Sequence, residues 1–283
     1  MNDAMDPSPA QAIGRRQSAE APIRTEPAAQ LAATLDLDDA PSDGAPLPPG
    51  WHWMYFNPFP ACSELGPDGH PKRGGFLPET GLPRRMWAGG RIFYPGQLRI
   101  GAAARKDSRI LNVAEKSGRA GRLCFVTVQH RISQDGELCI EEEQDIVYRE
   151  PPDPAATPPA PSAAPDGAEW SEEIVPDPVL LFRYSALTSN GHRIHYDQPY
   201  ATREEGYPDL VVHGPLIATL LQGLATRCRP GLHLQHFSFR GMAPLFVTRP
   251  FRIEAKRGEA PDDLSLWARG PEGELAMRAE ALF

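Results

Sequence analysis

Two segments of the chain carry residue types that can move a proton beside a carbonyl. They are Asn190-Gly-His-Arg-Ile-His195-Tyr-Asp and, further on, His213-Gly214-Pro215. The second opens a predicted helix, whose first N–H groups have no intrahelical acceptor and carry a partial positive charge. Gly214 there lets a ligand oxygen come close to the backbone. A thioester carbonyl held by that N–H gains stabilisation as it develops enolate charge. A neutral imidazole at His195 within reach can take a proton from water or from the substrate Cα. A base and an oxyanion donor are the two parts needed to add or remove water next to a thioester. His213 reads first as a capping or packing residue, with substrate binding as its second role.

The elements that must position these residues follow from hydropathy. Leu216, Ile217, Leu220, Leu221 and Leu224 repeat as i, i+1, i+4, i+5, i+8, one wide stripe of a helix. Pro215 suits its first turn, and Pro230-Gly231 stops it. An apolar strand, Leu180–Leu187, opens this half, and a polar loop runs from Thr188 to Asp209. Four strand patterns follow the helix: Leu232–Arg240, Phe251–Lys256, Leu264–Ala268 and Leu275–Ala281. A phase shift between Leu234 and Phe237 predicts a bulge in the first of these.

The earlier half predicts a short helix at Ala28–Leu37, then strands at Arg91–Tyr94, Gln97–Ala104, Arg109–Glu115, Gly121–Ile132 and Glu137–Tyr148. Gly121–Ile132 is apolar on both faces, as a central strand is. Asp135-Gly136 marks the hairpin that follows it. Trp51, Trp53, Tyr55 and Phe56 are expected to pack in the core or between the halves, with an acyl or CoA channel as the alternative. Seven of the 32 prolines fall between Pro151 and Pro165, in a stretch without hydrophobic period. Such a stretch favours polyproline II and serves as a semi-rigid linker. The expected organisation is a disordered 1–10, one domain over 11–149, a linker over 150–170 and a second domain over 171–283. An apolar helix followed by antiparallel strands implies a sheet curled around that helix. This is the hotdog layout, and two copies make a double hotdog, an α+β chain.

Composition excludes several classes. A net charge of −8 over 283 residues argues against nucleic acid as a partner. The basic residues Lys72-Arg73, Arg84-Arg85 and Lys106 read as solvated faces, with a small polyphosphate ligand as the alternative. Cys62, Cys124, Cys139 and Cys228 show no CxxC spacing, and His52, His70, His130, His233 and His236 are scattered without metal spacing. No metal is therefore expected. Met1–Ala10 lacks an apolar signal core, and no run of 18 apolar residues exists to span a membrane. The cytoplasm is the expected compartment, and no membrane partner is expected.

The stretches LFRYSALTSNGHRIHYDQPYA and GYPDLVVHGPLIATLL resemble the MaoC-like, R-specific enoyl-thioester hydratases. The similarity is greatest to the branch of type 2 3-hydroxyacyl-thioester dehydratases and of itaconyl-CoA and mesaconyl-C4-CoA hydratases. SELGPDGHPKRGGFLP, LPRRMWAGGRIFY and EEQDIVYRE resemble the first half of that branch, so the likeness runs over roughly 11–283. It implies a catalytic second hotdog and an acyl-accommodating first one. It also implies an acyl-CoA substrate, with CoA carried as part of it and no separate cofactor. A double hotdog supplies its own sheet pairing, so both a monomer and a homodimer are compatible.

The family motif is an Asp, four residues and a His. Here these positions are Asn190 and His195, and the oxyanion glycine is Gly214. An amide at 190 orients water but exchanges no proton near neutral pH. Either His195 performs both transfers or another carboxylate enters, with Glu205 the first candidate and Asp197 the second. Arg193 is a candidate for gripping a substrate carboxylate in bidentate fashion, in competition with Arg183 and Arg240. The leading expectation is reversible hydration of a short dicarboxylic enoyl-CoA, mesaconyl-C4-CoA or itaconyl-CoA, to citramalyl-CoA. The alternatives are a general 3-hydroxyacyl-thioester dehydratase, an acyl-CoA thioesterase and a non-catalytic acyl-CoA binder.

Overall fold

The computed structural model describes residues 8–118, 121–151 and 160–283. In the first half β1 (Arg16–Pro22) and α1 (Thr25–Thr34) precede the strands β2 (Arg84–Phe93), β3 (Ala103–Gly118), β4 (Gly121–Gln134) and β5 (Glu137–Arg149). The second half runs β6 (Trp170–Ile174), α2 (Pro178–Leu187), α3 (Gln198–Arg203) and α4 (Gly214–Cys228). It closes with β7 (His236–Gly241), β8 (Phe251–Arg257), β9 (Leu264–Arg269) and β10 (Leu275–Leu282). All ten strands form one antiparallel sheet in the order β1-β3-β4-β5-β2-β7-β10-β9-β8-β6. The halves meet at β2 and β7, where Gly89 faces Arg240 and Phe93 faces His236. The fold is a double hotdog, α+β as expected.

The second half follows the sequence pattern closely. The α4 stripe is buried at Leu216, Ile217, Leu221 and Leu224, and the helix packs on β7, β8, β9 and β10. In the first half the short α1 and a 3-10 turn at Trp51–Met54 do the filling instead. Trp51, Trp53 and Tyr55 are buried, and Trp53 meets Trp87 edge-on at 5.0 Å between centroids. A polar tie crosses the halves: the Tyr94 hydroxyl donates to Gln222 Oε1 on α4 at 2.6 Å and accepts from the Gly50 N–H. β4 lies between β3 and β5 and buries Cys124, Val126, Val128 and Ile132. Asp135 and Gly136 both have positive φ, which gives the two-residue turn whose twist suits a hairpin.

Several expectations are corrected. Leu180–Leu187 is a helix, because Asp177 caps it by accepting from the Leu180 N–H at 2.7 Å and Pro178 starts its first turn. The polar stretch 188–209 contains a 3-10 turn at Arg193–His195 and the short α3. The two strands predicted over 97–115 are replaced by the single β3, which starts at Ala103. It continues through Arg105–Ser108 because Arg105 and Asp107 face outward, beside Ser18 and Glu20 of β1. The phase shift at 234–237 marks the start of β7 at His236, and no register shift interrupts that strand.

Residues 1–7 of the expected disordered terminus lie outside the described residues, and Pro9–Ala12 is a 3-10 turn with Ala12 buried. Residues 152–159, the middle of the linker, also lie outside them. Beyond that stretch the chain docks: Ala164 N–H donates to Gly273, Leu275 N–H to Ser162, and Arg269 holds the Pro165 carbonyl. No described helix is long and apolar enough to cross a membrane.

Candidate active site

A cavity of about 700 Å³ opens between the halves, and His195, Asn190, Glu205 and Gly214 all line it. His195 ends the 3-10 turn and is 7% exposed. Its Nδ1–H donates to the Val211 carbonyl at 2.7 Å, which leaves Nε2 as the basic nitrogen. The chain around that carbonyl is tied in turn, since Val211 N–H donates to Ile194 and Val212 N–H to Leu245. Burial pushes the imidazole down to about 4, so it is neutral at physiological pH and suited to accept a proton.

His213 stacks on His195 with centroids 3.7 Å apart and planes at 19°. Its Nε2 is 2.8 Å from the Ser185 hydroxyl, and Tyr184 packs edge-on against it. It stands at the helix N-cap but makes no side-chain cap bond. His213 is thus a fully buried wall that fixes the plane of His195. Gly214 begins α4, and its N–H finds no acceptor among the described residues. A Cβ placed at 214 would meet nothing within 4 Å, and the residue lines the cavity.

The structure separates the remaining candidates. The Asn190 Oδ1 accepts from the His192 N–H at 3.1 Å, an Asx turn within its own loop. Glu205 is no free acid: its carboxylate pairs with Arg84 at 3.0 Å and accepts from the Tyr200 hydroxyl. Asp197 caps α3 and grips Arg193, whose guanidinium also reaches the Pro67 carbonyl and lies over the Tyr200 ring. Arg193 does not line the cavity, because those contacts turn it away. Arg183 on α2 and Arg240 on β7 are exposed and stand outside the cavity. Arg240 follows the buried Phe239, so strand alternation points it outward.

The first half supplies what those residues do not. The turn 67–70 brings Asp68 and His70 to the cavity, with His70 Nδ1–H donating to the Asp68 carboxylate at 3.1 Å. His70 lies 4.3 Å from the His192 ring, and His192 meets His195 edge-on at 5.5 Å. Ligand atoms of Asp68, His70 and His192 fall within 4.8 Å of one another, so histidines scattered in sequence cluster in space. Burial opposes charge on Asp68, but hydrogen bonds from the His70 ring and backbone hold its carboxyl well below the usual range. Burial pushes His70 down to about 4 and His192 to about 2.

Cations also reach the cavity from this half. Arg84, Arg85, Arg149 and Lys106 line it. Arg84 is held by Glu205, whereas Arg85 has no carboxylate within 4.0 Å among the described residues. It lies beside Tyr148, whose buried hydroxyl meets the hydrogen-bond criteria with none of the described residues, and close enough to His70 and His192 to disfavour their protonation. Deeper in, the buried Glu142 accepts from Trp53, His52 and Gln144 at 2.9, 3.1 and 3.0 Å. Burial works against its charge, yet those bonds hold it at about 2. In the sequence the DGHP segment stands only within a stretch that resembles the family's first half, and the Arg-Arg pair reads as a solvated face. Only their position across the cavity marks them as functional.

Residues 50–247 match the family model for hydroxyacyl-thioester dehydratase type 2. The chain is 52% identical over 268 residues to mesaconyl-C(4)-CoA hydratase of Chloroflexus aurantiacus, covering 94% of this chain and 95% of that one. It is 28% identical over 234 residues to a mitochondrial hydroxyacyl-thioester dehydratase type 2 of Schizosaccharomyces pombe, covering 73% and 77%. Among solved structures, HtdX of Mycobacterium tuberculosis matches with a TM-score of 0.65 at 16% identity, over 94% of this chain and 99% of that one. A MaoC-like dehydratase matches at 0.71 and 13%, over 96% and 98%. With its double hotdog and the His195–Gly214 pair on one cavity, the chain belongs to the hydroxyacyl-thioester dehydratase type 2 family of MaoC-like hydro-lyases.

Proposed function

We propose that the chain catalyses the reversible hydration of a short dicarboxylic enoyl-CoA, with mesaconyl-C4-CoA as substrate and citramalyl-CoA as the hydrated form. The observation that carries this reading is the 52% identity, along almost the whole chain, to a mesaconyl-C(4)-CoA hydratase. It favours mesaconyl-C4-CoA over itaconyl-CoA. The site chemistry agrees. The thioester oxygen lies at the Gly214 N–H, and water lies at His195 Nε2. Nε2 takes one water proton as the water oxygen bonds to Cβ, and the π electrons move onto the thioester oxygen. The enolate then re-forms the carbonyl as Cα takes that proton from Nε2. CoA arrives and leaves with the acyl group, so the step calls for no separate cofactor.

In mesaconyl-C4-CoA the second carboxylate sits on Cβ itself, so the group that binds it must stand beside the reacting atoms. Arg85 is the residue we assign to it, since it lines the cavity near His70 and His192 and makes no ion pair within 4.0 Å among the described residues. The second half acts as the catalytic domain and the first receives the acyl group.

The test is a comparison of mesaconyl-C4-CoA with crotonyl-CoA, following loss of enoyl-thioester absorbance and titrating free thiol. A site built around a polar group should disfavour the analogue lacking it by roughly 10²-fold or more in kcat/KM. Equal rates on both would remove the dicarboxylate assignment. Thiol release would make the protein a thioesterase, and binding without turnover would make it an acyl-CoA binder.

A further inference from the structure

We infer that Asp68 and His70, carried by the first half, supply the second water-binding group of the catalytic site and stand in for the carboxylate missing at Asn190. The inference rests on the hydratase reading above. Asn190 cannot exchange a proton, and its amide oxygen accepts from the His192 N–H, which turns it into its own loop. Glu205 and Asp197 are committed to Arg84 and Arg193. Asp68 is the carboxylate left at the catalytic loop, and it acts there through an imidazole.

The geometry is that of a base held by an anion. His70 Nδ1–H points at the Asp68 carboxylate, so Nε2 carries the lone pair. That nitrogen has no hydrogen-bond partner among the described residues, and the ring lines the cavity. His195 has the same form, with Nδ1–H on a carbonyl and no partner for Nε2 among the described residues. The His192 ring lies 4.3 Å from the His70 ring and 5.5 Å from the His195 ring, so both imidazoles border one part of the cavity, where a water with two O–H donors can serve both Nε2 acceptors. With both O–H groups engaged, a lone pair of the oxygen is directed to Cβ.

The turn is fixed to the catalytic loop by three ties. Arg193 N–H donates to the Asp68 carbonyl at 2.9 Å, the Arg193 guanidinium reaches Pro67, and Gly69 packs directly on Gly191.

In hydration, the water O–H facing His195 breaks and its proton moves to His195 Nε2 while the oxygen bonds to Cβ. The O–H facing His70 stays intact and becomes the product hydroxyl, still donating to His70 Nε2. The proton on His195 is then delivered to Cα, so atoms and charge balance with no other reactant. Asp68 keeps His70 in the tautomer that accepts; an amide there releases the ring to present N–H to the water instead.

The experiment measures hydration of mesaconyl-C4-CoA by wild type, Asp68→Asn, His70→Gln and the double variant, with thermal midpoints alongside. Loss of a base-orienting carboxylate or a positioned acceptor is expected to lower kcat by roughly 10²-fold or more. KM should stay within about threefold, and the double variant should be no worse than His70→Gln, as for groups that act as a unit. Thermal midpoints should move little, which separates the effect from a structural one. Either single variant keeping kcat within about threefold of wild type overturns the inference, as does a loss confined to KM. So does a stoichiometric divalent metal in wild type that Asp68→Asn releases, since His70 Nε2 would then be a ligand. An active wild type with unaffected variants removes the Asp68–His70 pair alone. A wild type that hydrates no enoyl-CoA removes the hydratase reading, and the pair with it.

Discussion

Gly69→Ala tests whether the first half sets the catalytic geometry. Gly69 has φ +85°, a region where a Cβ costs roughly 1–2 kcal/mol. Its added Cβ would also fall 1.9 Å from the Gly191 carbonyl oxygen, on the loop between Asn190 and His192. Backbone faces backbone here, so no side chain can swing away. Restoring a contact of about 3.4 Å requires the turn and the loop to part by about 1.5 Å. A shift of that size at reacting groups costs on the order of 10²-fold in rate. The control is Gly167→Ala, at φ +79° with nothing within 4 Å of the added Cβ, which bears the backbone strain alone. Steady-state hydration and thermal midpoints of the two variants are compared with wild type. Gly69→Ala should lose about 10²-fold in kcat/KM while Gly167→Ala keeps wild-type activity, with both midpoints lowered. Gly69→Ala with wild-type kcat/KM would refute the reasoning, because the turn would then be free to move without consequence.

Two further outcomes follow from the site. Gly214→Ala should leave the thermal midpoint unchanged, since its Cβ meets no protein atom, yet raise KM and lower kcat by crowding the thioester; full activity in this variant would move the oxyanion donor elsewhere. Burial holds His195, His70 and His130 down to about 4 and His192 to about 2, against a usual value near 6.5. The unfolded chain therefore binds protons that the folded chain refuses as pH falls below about 6.5, and stability drops between there and about pH 4. Thermal midpoints measured from pH 8 to 4 check this, and a midpoint constant down to pH 4.5 would contradict buried neutral imidazoles.

What was legible in the sequence was local. Pro215, the leucine stripe and Pro230-Gly231 delimit α4, and Asp135-Gly136 delimits a hairpin, because each signal acts within a few residues. His195 and Gly214 stand out through the motifs that flank them, and the fold places both on the cavity. β1 has no hydropathy signature because Arg16, Gln17 and Ser18 are exposed on a sheet edge and show no apolar alternation. α2 reads as a strand if its apolar run is weighed without the Asp177-Pro178 start. Residue type alone misassigned the arginines: Arg183, Arg193 and Arg240 have suitable chemistry, but only the fold shows that they point away. Asp68, His70 and Arg85 lie more than a hundred residues before His195, and the β2–β7 seam and the docked 67–70 turn bring them to it. No spacing along the chain encodes that approach.

The most direct test of hydration at His195 is turnover of mesaconyl-C4-CoA by wild type and His195→Ala, with acyl-CoA binding measured on both. Removing the base that both takes the water proton and returns it to Cα should lower kcat by about 10³-fold or more. Binding should be retained, because the Gly214 N–H and the cationic wall are untouched. Turnover by His195→Ala within tenfold of wild type would contradict the assignment and place the proton transfers on another residue of the cavity.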